Sequence, residues 1–90
     1  MPKYVIEREV PGVEGLNERD RKAAALQSVR ALQEIGTDIQ WIHSYISENR
    51  THCVYLADNE ELIYKHAEKS GFPVKKIFQV NYILEPVSAE

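Results

Sequence analysis

The sequence predicts an α+β sandwich, with two helices laid on one face of a four-stranded antiparallel sheet. Three observations carry that expectation. The apolar pattern divides into six segments in the order strand, helix, strand, strand, helix, strand. Each helical segment opens on a polar residue suited to capping and closes on a glycine. The strand segments are short and rich in Val, Ile and Tyr, as strands require. This βαββαβ order is that of the ferredoxin-like sandwich, with strand one beside strand three and strand two pairing with strand three at an edge. Ninety residues make one such domain, spanning 1–90.

The elements follow in order along the chain. Strand one runs from Tyr4 to Val10 and is stopped by Pro11-Gly12. The loop from Pro11 to Leu16 holds two glycines. Helix one starts at Asn17 as N-cap, with Asp20 three residues on, close to a capping box. Ala25, Val29 and Leu32 form its apolar stripe, with Leu26 and Ile35 beside them, and Gly36 supplies a left-handed stop. Strand two runs from Asp38 to Ile46, the turn is Ser47-Glu48-Asn49-Arg50, and strand three runs from Thr51 to Ala57. Helix two is capped by Asp58, with Glu61 at the box position. It buries Leu62, Ile63, His66 and Ala67, and it ends at Gly71, beyond which Pro73 forbids continuation. Strand four runs from Lys76 to Leu84, with Pro86 after it.

Composition narrows the function. A chain with 43% apolar and 28% charged residues is globular. A chain this short buries only about 60–65% of its unfolded surface, so association is a common source of added stability. No window approaches the roughly 18 apolar residues of a membrane-spanning helix. The start, MPKYVIEREV, lacks the apolar run of a signal peptide, and Cys53 is the only cysteine. The expectation is therefore a cytoplasmic protein. Net charge is −3 and no basic block stands out, which argues against binding nucleic acid through its phosphates.

The stretch WIHSYISENRTHCVYLA at 41–57 is where the chemistry concentrates. Ile42, Ile46, Val54 and Leu56 fit a helix-facing side. Trp41, His43, Tyr45, Cys53 and Tyr55 then fall on the open side of the sheet. On strand one, Tyr4 and Ile6 share one face, and Val5, Glu7 and Glu9 the other. On strand four, Phe78, Val80, Tyr82 and Leu84 fit the helix-facing side. A four-residue turn at 47–50 would pair Ile46 with Thr51 and reverse part of this parity. A loop of three or five residues, or a bulge, restores it.

With that parity, Glu7, Glu9, His43 and Cys53 converge on the open face. Imidazole, thiolate and carboxylate form a mixed shell suited to nickel, copper or zinc. The same four residues have a plainer reading as separate structural groups, since no CxxC or HExxH spacing is present. Cys53 with His43 as base is a nucleophile reading, but no helix N-terminus adjoins Cys53 to activate it. Trp41, Tyr45 and Tyr55 fit either a ligand pocket or a subunit interface. The strand-three signature of RNA-recognition motifs is absent at Thr51-His52-Cys53-Val54-Tyr55. The first loop lacks the arginine of acylphosphatase-like phosphate binding.

YVIEREVPG at 4–12, IQWIHSY at 39–45, CVYLA at 53–57, EELIYKHA at 60–67 and GFP at 71–73 carry a family likeness. The chain resembles the small bacterial domain family of unknown function that includes nickel-responsive, nickel-binding ferredoxin-like proteins. The resemblance implies a homodimer and, in some members, nickel held near the subunit interface. The first reading is thus a homodimeric nickel-binding protein without catalytic activity, with His43, Cys53 and Glu7 or Glu9 as ligands. The second is a dimeric α+β enzyme of monooxygenase or isomerase type. There His43 is the acid–base group and Trp41, Tyr45 and Tyr55 are the walls. A deep apolar cavity ending at His43 would favour the second, and a shallow polar cluster the first.

Overall fold

The computed structural model of the chain describes residues 1–89. Its elements are β1 (Lys3–Glu9), α1 (Glu18–Ile35), β2 (Ile39–Ser47), β3 (Arg50–Ala57), α2 (Glu60–Ser70) and β4 (Lys76–Val80). Short 3₁₀ turns occupy Val13–Gly15 and Pro86–Ala89. The strands form one antiparallel sheet in the order β2-β3-β1-β4. This is the ferredoxin-like α+β fold. No helix of the described residues is long and apolar enough to cross a membrane.

Local chemistry explains the helix ends. The Asn17 side chain accepts the Asp20 amide at 2.8 Å, fixing the start of α1. The start of α2 is fixed by Asn59 rather than by Asp58, its side chain accepting the Leu62 amide at 3.2 Å. Gly71 closes α2 in the left-handed conformation, φ 79° and ψ 7°, which a side chain would resist. Gly36 also has positive φ, at 109°, but its ψ of −155° lies outside the left-handed helical region.

The inner face of α1 is built from small residues. Ser28 and Ala31 are buried, and Ala24, Ala25, Leu32 and Ile35 are half-buried. Leu26 and Val29, expected in this stripe, are exposed. The reason is volume. The sheet beneath already supplies Tyr4 and Tyr55, each at most 3% exposed, so the helix approaches closely only through small side chains. These tyrosines form the core with Ile6, Ile39, Ala57 and Ile63.

The register of β2 on β3 decides what each face carries. Ser47 pairs with Arg50, so Glu48-Asn49 is a two-residue turn, with Asn49 at φ 58°. Asparagine tolerates this conformation better than most residues. The turn is tied to the β1–α1 loop, because Asn49 Oδ1 accepts the Gly12 amide at 2.8 Å and Glu14 accepts the Asn49 amide at 3.2 Å. Ile46 therefore pairs with Thr51. A one-residue bulge at Ile42 then leaves Trp41 opposite Tyr55 and His43 opposite Val54.

This register corrects the expected faces. Cross-strand partners share a face. Thr51, Cys53, Tyr55 and Ala57 are buried under the helices, and Trp41 and Ser44 lie on that side with them. Trp41, Cys53 and Tyr55 are thus not on the open face. The bulge separates Trp41 from His43, and the expected pattern joined them because it took Ile42 as a regular strand position. Strand four is corrected likewise. It ends at Val80, and Ile77 packs on the core while Phe78, opposite Val5, is 47% exposed on the open side.

Candidate functional site

Alternation along β1, β2 and β3 brings a polar row to the open face. Tyr45 stands opposite His52, His52 opposite Glu7, and Glu7 opposite Lys76 on β4. Strands lie about 5 Å apart, so successive members of the row are within side-chain reach. His43 adjoins it two residues before Tyr45, its Nε2 hydrogen-bonded to the Tyr45 hydroxyl at 3.0 Å. The two rings meet edge to face at 4.9 Å.

Glu7 is the most enclosed charge of the row. Its carboxylate, 16% exposed, lies 3.3 Å from His52 Nε2 and 4.0 Å from Lys75 Nζ. Glu9 is turned to Lys75 at 2.7 Å. That hydrogen bond, and the ammonium charge behind it, hold the Glu9 carboxyl below its ordinary range. Of the four sequence-predicted ligands, the structure keeps Glu7, Glu9 and His43 on one face and places Cys53 on the other. Cys53 is 8% exposed, and its thiol hydrogen faces Thr51 Oγ1 at 3.7 Å. Among the described residues, no three His, Cys, Asp or Glu side chains are assembled at metal-binding distance.

The helix-side face holds a cavity of about 300 Å³ between α1 and the sheet. Arg8, Trp41, Cys53 and Tyr55 line it, and His43 does not. Trp41 is oriented by its indole N–H, which donates to Ser44 Oγ at 2.9 Å. Burial pushes the Tyr55 hydroxyl above its ordinary pKa, against the opposing pull of the Arg8 guanidinium. The phenol is therefore a protonated donor at neutral pH.

Behind the cavity, His66 Nε2 lies 3.1 Å from Ser28 Oγ and 3.3 Å from the Ser28 carbonyl. A carbonyl only accepts, so Nε2 carries the proton. Nδ1 is buried with no partner among the described residues. Burial pushes the His66 pKa down. A hydroxyl–imidazole pair needs a group on Nδ1 to orient and charge it for catalysis. None is present among the described residues, and the pair ties α1 to α2.

Sequence reasoning passed over two residues. His52 has no part in the site expected from the sequence, although the two-residue turn at Glu48-Asn49 places it opposite Tyr45. Arg8 follows Tyr4 and Ile6 at period two, which is signal enough to put it on the helix side.

The family model described as nickel responsive protein SCO4226-like matches residues 4–80. No curated protein matches. The crystal structure of SCO4226 from Streptomyces coelicolor A3(2) superposes with a TM-score of 0.73 at 12% identity, covering 91% of this chain and 99% of that one. At that identity the likeness is one of fold.

Proposed function

The chain belongs to the nickel-responsive SCO4226-like family, and from that premise we propose that it is a homodimeric, cytoplasmic nickel-binding protein with its ligands on the open sheet face. His43, His52 and Glu7 are the donors we assign, with Glu9 at the margin because Lys75 engages it. Two imidazoles and a carboxylate form a nitrogen–oxygen set that suits nickel, copper or zinc. The observation that carries the reading is the contact of His52 with Glu7 beside His43 on one exposed face.

The same observation argues for two copies. Among its described residues one chain does not preassemble three donors. The open face also exposes Tyr45 at 62% and Phe78 at 47%, an aromatic surface of the kind that subunit interfaces use. Facing sheets would supply donors from both chains. A deep apolar cavity ending at His43 would favour the enzyme reading; the cavity lies on the opposite face and His43 sits in a shallow polar cluster, which favours metal.

Calorimetric titration of chelator-stripped protein with nickel tests the proposal. Saturable uptake is expected, weakened about tenfold or more in His52→Ala and in His43→Ala. Absence of saturation, or uptake unchanged in both variants, would sink it.

A further inference from the structure

We propose that the cavity between α1 and the sheet binds a small carboxylic acid with an apolar body, its carboxylate held by Arg8. The site is separate from the open-face donors and lies on the other side of the sheet.

Arg8 is 3% exposed, and its Nη2 has no hydrogen-bond partner among the described residues. Among the described residues its guanidinium makes a long hydrogen bond from Nε to the Phe72 carbonyl, 3.5 Å, and otherwise has only the neutral Tyr55 hydroxyl nearby. Its guanidinium carbon lies 6.0 Å from the centre of the Tyr55 ring, at the outer limit of a cation–π contact. Guanidinium stays charged at any physiological pH, and a buried charge is costly unless it is paired. Among the described residues no carboxylate lines the cavity or pairs with Arg8. The missing counter-charge is therefore one that a ligand would bring.

The cavity specifies the rest of the ligand. Its volume of about 300 Å³ lies at the small end of ligand sites. Val13, Ala25, Trp41 and Tyr55 give it largely apolar walls. A single buried guanidinium matches a carboxylate as a planar, two-pronged partner. A phosphate dianion would need further buried donors to offset its greater desolvation. The protonated Tyr55 phenol borders the same space as a neutral donor.

Trp41, the only tryptophan, lines the cavity and reports on it. The test titrates the full chain with benzoate and with octanoate, following Trp41 fluorescence and the thermal unfolding midpoint. The expected result is a saturable fluorescence change and a raised midpoint for at least one acid, with no response to benzamide. Arg8→Met keeps the aliphatic stem and should weaken binding about tenfold or more. Ala25→Leu keeps Arg8 but fills the cavity, and should also abolish the response. If Arg8→Met does not fold, benzamide and Ala25→Leu carry the test. The proposal is overturned by no saturable response to either acid, by equal binding of benzamide, or by binding unaffected in Ala25→Leu. Saturable binding of inorganic phosphate in place of both acids would also overturn it.

Discussion

Cys53 and His66 show how burial decides what a reactive side chain does. A thiol 8% exposed under the helices is a small hydrophobe with a weak hydrogen bond, and it faces away from His43. Cys53→Ala should therefore cost about 1–2 kcal/mol of stability and leave nickel stoichiometry unchanged, measured by denaturant melts and metal analysis. Loss of bound nickel in that variant would restore the thiol as a ligand. His66 gives a pH effect of definite sign. Its folded pKa lies below the ordinary 6.5, so acid favours the unfolded chain, which takes up the proton first. Its contribution is fully present above the unfolded value and fades as pH falls through 6.5 toward the lowered folded value. The unfolding midpoint should drop between about pH 7 and pH 5.5, and less steeply in His66→Leu. Equal slopes would count against a buried neutral imidazole. Residue identity alone made His43 and Cys53 stand out as chemistry. It could not place them, because both faces follow from the two-residue turn at Glu48-Asn49, which sets His43 opposite Val54 and Ser44 opposite Cys53.

Among the elements, β2 holds the decisive irregularity. Residues 39–41 and 43–47 pair with β3 in registers that differ by one, and Ile42 absorbs the difference. Removing Ile42 should thus yield a regular strand, with Trp41 still inward and His43 still outward. We expect the deletion to fold, with a loss of no more than about 2 kcal/mol and a buried Trp41 emission. Deleting Ser44 instead keeps Trp41 opposite Tyr55 and Tyr45 opposite His52 but turns His43 inward in place of Ser44, and should cost more stability than the Ile42 deletion. Melting curves distinguish the two. The helices were more legible than the strands. Asn17, Gly36 and Gly71 mark their ends by backbone chemistry that acts locally. Asp58 misled because two capping residues stand side by side, and the second, Asn59, takes the bond. Strand parity was harder to read because a bulge leaves no composition signal. Leu26 and Val29 misled because apolar size was taken for burial, while α1 approaches the sheet through alanines and Ser28.

At the scale of the molecule, segment order alone predicted the fold, and the sheet order β2-β3-β1-β4 follows from it. What the order leaves open is the use of each face. The helix side carries the core and a cavity whose Arg8 has no carboxylate partner among the described residues, and the open side carries His43, His52 and Glu7, the proposed donors. Beyond β4 the chain exposes Tyr82 at 79% and Leu84 at 80%, which adds apolar surface outside the sandwich. Sedimentation should find a dimer, and a monomer at all concentrations would leave each copy with an incomplete donor set. The chemistry of the bound metal distinguishes the two sheet faces most directly. X-ray absorption at the nickel edge of the loaded protein should show nitrogen and oxygen scatterers with imidazole outer shells and no sulfur. A nickel–sulfur shell would contradict the placement of Cys53 and move the site to the other side of the sheet.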